Sequence, residues 1–233
     1  MKALLALLIG AKLGKILLSA GSMLLSVLVY AQMFGWRYAV GFVVLLWVHE
    51  MGHFIAARKR GLEVGLPTFI PFVGAWINLR TQELDPETTA FVGMAGPLLG
   101  STASFATFLM ATQYHLPWLM ALAYAGFVLN LFNLIPIVPL DGGHIVAVIS
   151  PKLWVLGFPL LIGLYLWRPN PLLIIIAVMA VPHLWAVLRG RQQYSPAGQL
   201  PTSGERLLYA SQYLGLVVLL IFLIFESHPM PET

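Results

Sequence analysis

The stretch "VVLLWVHEMGHFIAA", residues 43–57, places two histidines and a glutamate inside an apolar run. Six apolar residues lead into His49, Glu50 and His53, and four more separate His53 from Arg58. On a helix, residues i and i+4 share a face, so His49 and His53 can converge on a single ion. Glu50 lies about 100° round the same helix. It is therefore beside the ion without being needed as a ligand, which is where a general base for metal-activated water belongs.

The rest of the chain makes the surrounding run a membrane span. Of the 233 residues, 59% are hydrophobic and 9% charged, against about 25% charged in a soluble domain. Mean hydropathy is +0.86. These values predict an all-α polytopic membrane protein. The net charge of +4 then concerns orientation in the bilayer and gives no case for a nucleic-acid partner. With no cysteine in the chain, disulfides and thiolate metal sites are excluded, and a transition-metal site must use histidine, carboxylate or water.

A span needs about 20 mostly apolar residues. Seven runs qualify, near 16–34, 38–57, 88–111, 117–136, 153–167, 171–188 and 207–225. Residues 1–15 read as an uncleaved lead-in lying at the interface. With the N-terminus inside, eleven basic residues fall on the inner side and only Arg37 and Arg168 outside, a strong positive-inside bias. Residues 189–205 form a polar linker. Residues 66–79, "LPTFIPFVGAWINL", are apolar but too short to cross. Their β-branched and aromatic content around a central glycine predicts an extended hairpin dipping into the membrane. Asp85, Pro86 and Glu87 carry the N-cap and first-turn signals of the helix that follows.

Two carboxylates stand apart from loops and helix starts: Glu50, and Asp141 just past the fourth span. An intramembrane carboxylate costs about 2.5–3.5 kcal/mol, and a structural zinc, binding with about 10–16 kcal/mol, offsets such a cost. A third protein ligand is needed. The pattern HExxHxxGxxH fails, because Ala56 and Lys59 stand at its glycine and final histidine. Glu83 and Glu87 belong to a helix start at the interface. Asp141 fits better: Pro136 and Pro139 break the fourth span, and Leu140-Asp141-Gly142-Gly143 predicts a turn folding back toward the bundle. His144 is a rival ligand or a hydrogen-bond partner of Asp141. Gly93, Gly96 and Gly100 are spaced for close helix packing. Asn130 reads either as a helix–helix hydrogen bond or as a substrate contact, and His183 as a buried, hydrogen-bonded core residue.

Together, "HEMGH" (49–53), "GMAGPLLG" (93–100) and "FNLIPIVPLDGG" (132–143) resemble the site-2 protease family of intramembrane zinc metalloproteases. The resemblance covers residues 38–145, with 1–37 as lead-in and first span and 146–233 as additional spans. It implies a three-helix core, one zinc held by His49, His53 and Asp141, Glu50 as catalytic base, and Asn133 at the substrate or the developing oxyanion. The activity implied is cleavage of membrane-spanning protein substrates near the cytoplasmic side by zinc-activated water. Residues 66–79 fall where the family has its membrane-embedded β element, which makes Phe72, Val73 and Gly74 candidate substrate contacts. The chain has neither the PDZ insert nor the nucleotide-sensing domain of some members, so it resembles a minimal form in a prokaryotic cytoplasmic membrane. The alternative is a catalytically silent adaptor that binds membrane segments. A transporter using the buried carboxylates would need coupling residues on several helices, and 153–225 holds no acid except Glu205.

Overall fold

In the computed structural model, residues 2–71, 74–76, 84–190 and 200–228 are described. They form eight α-helices and one small hairpin: α1 Lys2–Phe34, α2 Trp36–Lys59, β1 Thr68–Ile70, β2 Gly74–Trp76, α3 Pro86–Tyr114, α4 Pro117–Asn133, α5 Asp141–Ile149, α6 Trp154–Trp167, α7 Pro171–Leu188 and α8 Ser203–Ser227. Among the described residues, α2, α3, α7, α8 and the Ile16–Phe34 part of α1 are long and apolar enough to cross a membrane. Their outward faces are studded with exposed leucine, isoleucine and valine, such as Leu17, Leu28, Ile174 and Leu214. An apolar surface of that extent is a lipid-facing one. The chain is an all-α, multi-pass integral membrane protein.

The segments expected to span are all helical, with two differences. The lead-in is not separate from the first span, since α1 runs unbroken from Lys2 to Phe34. The fourth and fifth spans are short, 17 residues in α4 and 14 in α6. At 1.5 Å per residue α4 is about 25 Å long, less than the roughly 30 Å hydrocarbon core. The chain therefore leaves helical geometry while still at membrane depth.

Local chemistry sets the breaks. Gly35 joins α1 to α2 with φ +83°, a left-handed conformation that glycine adopts without a Cβ clash. Asp85 caps α3 by accepting from the Thr88 N–H at 2.8 Å, with Pro86 in the first turn. α8 opens with a capping box between Thr202 and Glu205. β1 and β2 pair antiparallel, Thr68 with Trp76, Phe69 with Ala75 and Ile70 with Gly74. This places the expected hairpin within 66–79.

The helices pack through small residues. On α2, a Cβ at Gly52 would collide with the Ala95 carbonyl of α3. Between α3 and α4, Gly100 faces Asn130, and Gly126 faces Ser104. The main core joins α3, α4, α5 and α8 through Met94, Phe127, Ile145 and Leu220. The second core joins the 134–140 loop to α6 and α7 through Ile137, Leu161 and Ile176.

Candidate metal centre

Three helices bring the site residues together. α2 carries His49, Glu50 and His53; α3 packs against it; α5 begins at Asp141. Asp141 is thus the first residue of a short helix, where a turn was expected. Gly142 and Gly143 make this possible, because a Cβ on either would strike the backbone of Leu134 to Val138. The loop after α4 is folded tightly on the start of α5 and needs both glycines.

The two imidazoles are oriented by bonds on their far sides. His53 Nδ1 donates to the Val92 carbonyl of α3 at 2.8 Å. His49 Nδ1 lies 2.9 Å from Asn130 Oδ1 on α4. Asn130 Nδ2 already donates to the Gly126 carbonyl at 2.7 Å, so its oxygen accepts and His49 Nδ1 carries the proton. Neutral imidazole has one N–H and one lone pair. Both Nε2 lone pairs therefore point the same way, 3.1 Å apart. Asp141 closes the set, with Oδ2 at 3.1 Å from His49 Nε2 and Oδ1 at 3.3 Å from His53 Nε2.

Lone pairs and a carboxylate converging on one point repel one another unless a cation lies between them. Zinc–nitrogen bonds of about 2.0–2.1 Å in tetrahedral geometry put neighbouring donor atoms roughly 3.3 Å apart, close to the separations found here. The donor set is nitrogen and oxygen, as a chain without thiols requires. These residues fit a zinc ion. Donor atoms of His49, Glu50 and His53 also lie within 4.8 Å of one another, which keeps the Glu50 carboxylate beside the histidine pair.

The site opens into a cavity of about 490 Å³ whose polar floor includes Glu50, Asn133, Asp141 and His144. Its walls are apolar, from Tyr30 on α1, Ile70 on β1 and Ile175 and Met179 on α7. Glu50 is only 8% exposed.

Asn133 borders the cavity and donates one Nδ2 proton to the Leu129 carbonyl at 3.1 Å. Asn130, left open between two roles, takes the helix–helix one: it is 1% exposed and bonds both His49 and Gly126. Both ends of its amide are engaged within the helix bundle. Gly74 opens β2, while Phe72 and Val73 lie outside the described residues. Each glycine serves a different part of the site: Gly93 backs onto Asp141 and His144, Gly96 onto the His53 ring, and Gly100 onto Asn130. His183 differs from expectation, since its Nδ1 is buried without a hydrogen-bond partner among the described residues and its ring packs edge-on against Trp154 at 5.7 Å.

Sequence reasoning missed the Val92 carbonyl, which no side chain advertises, and the two serines that moor the hairpin. On α1, Ser19 Oγ donates to the Pro67 carbonyl at 2.5 Å, and Ser22 Oγ accepts from the Phe69 N–H at 3.0 Å. Serines one turn apart in an apolar helix were a readable signal for this.

Residues 37–117 match the model of peptidase family M50. A zinc metalloprotease of Methanocaldococcus jannaschii is 28% identical over 123 residues, 49% of this chain and 35% of that protein. A putative zinc metalloprotease of Synechocystis is 33% identical over 102 residues, 42% of this chain and 27% of that protein. A probable chloroplastic zinc metalloprotease of Oryza sativa is 35% identical over 75 residues, 30% of this chain and 13% of that protein. The chain thus spans about a third or less of the length of these relatives.

Proposed function

We propose that this chain, whose residues 37–117 match the model of peptidase family M50, is a zinc endopeptidase of the site-2 protease type that cleaves membrane-spanning protein segments inside the bilayer. The observation that carries this reading is the convergence of His49, His53 and Asp141 beside a buried Glu50, at the floor of a cavity walled by apolar helices. Zinc bound there supplies Lewis acidity and makes water a nucleophile near neutral pH. Every other part of the reaction falls to the chain.

Glu50 takes the proton of the attacking water and returns it to the leaving amide nitrogen. Its apolar surroundings keep competing solvent away from that transfer. Asn133 has a second Nδ2 proton, which it directs at the oxygen that becomes negative; a contact of this kind is worth about 3–4 kcal/mol elsewhere. His49 and His53 hold their rings fixed through Asn130 and Val92. No ligand has to reorganise during the reaction.

A membrane-spanning helix hides its peptide bonds, so the substrate must be held extended at the site. The hairpin offers an edge for that by strand addition. The Phe69 N–H turns away from β2 to reach Ser22, so in an antiparallel ladder its register partner Ala75 presents its own N–H and C=O to the outer edge of β2. Gly74 opens that strand, and Phe72 and Val73 come just before it in the sequence. Strand addition there satisfies backbone groups of the substrate that lipid cannot.

The functional unit on this reading is 38–145, with 1–37 and 146–233 enclosing it. The positive-inside bias supports a cytoplasmic N-terminus and a site toward the cytoplasmic side, and the reading takes the membrane to be a prokaryotic one, with lipid and a transmembrane protein as partners.

Zinc content of the detergent-purified protein tests the centre, wild type beside Asp141→Ala. About one zinc per chain, lost in the variant, is the expected result. A folded wild type that takes up no zinc overturns the proposal. Cleavage of a membrane-spanning test substrate in liposomes, abolished by Glu50→Gln with zinc retained, tests the chemistry.

A further inference from the structure

The loop between α4 and α5 carries Asp141 to the metal centre, yet it is irregular backbone at membrane depth. The prolines at 136 and 139 supply no N–H, and the end of α4 leaves carbonyls without intrahelical donors. Such groups must be satisfied by protein. Part of this is internal: Ile137 N–H reaches the Ile135 carbonyl at 2.7 Å and Leu140 N–H reaches the Ile137 carbonyl at 2.9 Å. Trp154 Nε1 donates to the Gly143 carbonyl at 2.8 Å.

The Leu134 carbonyl is served from elsewhere. Tyr213, on α8 and 79 residues away in sequence, donates its hydroxyl to it at 2.6 Å. Leu134 is 1% exposed. The same carbonyl also packs against Gly142, where a Cβ would collide with it. Leu134 is therefore held between a tyrosine hydroxyl and the residue that follows Asp141. The position of its carbonyl sets where the first turn of α5 sits.

We infer that Tyr213 is a positioning residue for the metal centre, fixing Asp141 through the Leu134 carbonyl and Gly142. This assigns α8, which lies outside the residues matched to the family, a part in building the site. Without the hydroxyl, the Leu134 carbonyl must turn toward another donor, and the Asp141 turn packed on it moves too. Tyr209, one turn earlier on α8, gives the control: its hydroxyl donates to Glu87 Oε1 at 2.9 Å at the start of α3, away from the 134–142 loop.

The inference rests on the zinc reading, so the test begins with wild type and Asp141→Ala. If wild type holds no zinc, it is that reading which falls. With zinc held by wild type and lost in Asp141→Ala, zinc affinity of Tyr213→Phe and Tyr209→Phe is measured by chelator competition, alongside thermal unfolding of the zinc-free proteins. Partners that orient ligands change metal affinity by about 10–100-fold. The expected result is a loss of about tenfold or more for Tyr213→Phe, with Tyr209→Phe unchanged although its zinc-free form also unfolds more easily. Unchanged affinity in Tyr213→Phe overturns the inference, and so does an equal loss in both variants, which marks general loosening. If Tyr213→Phe does not fold, p-aminophenylalanine at 213 keeps a donor at the same place. Wild-type zinc affinity in that protein supports the inference, and a folded protein with tenfold weaker zinc refutes it.

Discussion

Replacing Gly96 by alanine sets helix propensity against the metal centre. Gly96 lies inside α3, where Gly→Ala ordinarily stabilises by about 0.5–1 kcal/mol. Here the new methyl would occupy the space of the His53 ring, with the collision centred on Nε2. The ring has no easy retreat. Its Nδ1 is tied to Val92 on the same helix at 2.8 Å, and Gly52 already brings α2 against the Ala95 carbonyl. His53 must therefore swing away and forfeit its place beside His49 and Asp141. A structural zinc binds with about 10–16 kcal/mol, so an equal share for each of three protein ligands is about 3–5 kcal/mol. At 1.4 kcal/mol per tenfold, that is a loss of affinity of roughly a hundredfold or more. Chelator competition reads the affinity, and unfolding of the zinc-free protein reads the fold. The expected pattern is a zinc-free form somewhat less stable than wild type, because the propensity gain does not cover the lost Val92 bond, with zinc all but lost. Wild-type zinc affinity in Gly96→Ala would show that the α2–α3 spacing does not set the ligand geometry, and the account of His53 would fail.

Asn130→Ala leaves the His49 Nδ1–H buried and unpaired, which costs about 1–3 kcal/mol, and zinc affinity should fall about 10–100-fold; equilibrium dialysis against zinc buffers measures it. Ala75→Pro removes the outward N–H of β2, so cleavage of the membrane-spanning test substrate should drop severely while zinc content stays at wild type; unimpaired cleavage rules out strand pairing. Ser22→Ala frees the Phe69 N–H and should make the hairpin more open to limited proteolysis, with zinc unchanged. Asp85 gives a pH test. Partial burial pushes its carboxyl up, but hydrogen bonds from Thr88 and the charge of Arg60 outweigh that and hold it below the usual carboxylate range. A lowered folded-state pKa gives stability that is present above the ordinary aspartate value of about 3.9 and is lost as pH falls through the depressed one. Between pH 7 and 3, unfolding temperature in detergent should fall more steeply for wild type than for Asp85→Asn. Parallel curves would refute the assignment.

Much of this site was legible in the sequence because its signals are local. HEMGH in an apolar run has the i, i+4 spacing that puts two imidazoles on one face, whatever the helix packs against. Asp85-Pro86 announces the start of α3, and "LPTFIPFVGAWINL" is too short and too broken to be a helix that crosses. An acid beyond two prolines, followed by two glycines, marked Asp141 as able to turn back, although that it begins a helix could not be read there. The sequence alone determined most of the elements, the membrane setting and which side chains were available as donors, since each depends on a few neighbouring residues.

Tertiary structure decided the rest, because the deciding contacts join segments far apart in the chain. Which nitrogen of His53 carries a proton depends on a backbone carbonyl at Val92, and carbonyls are the same at every position of a sequence. Asn130 could have met substrate or helix; only packing of α4 on α2 turned it to His49. Each glycine of the 93–100 motif reads alike, yet one admits α5, one a histidine ring and one an asparagine. Tyr213 gave no sign in its own helix, since its partner is a carbonyl left without a helical donor where α4 ends early. A local pattern fixes which groups are available, and only the fold brings an orphaned acceptor to the donor that satisfies it.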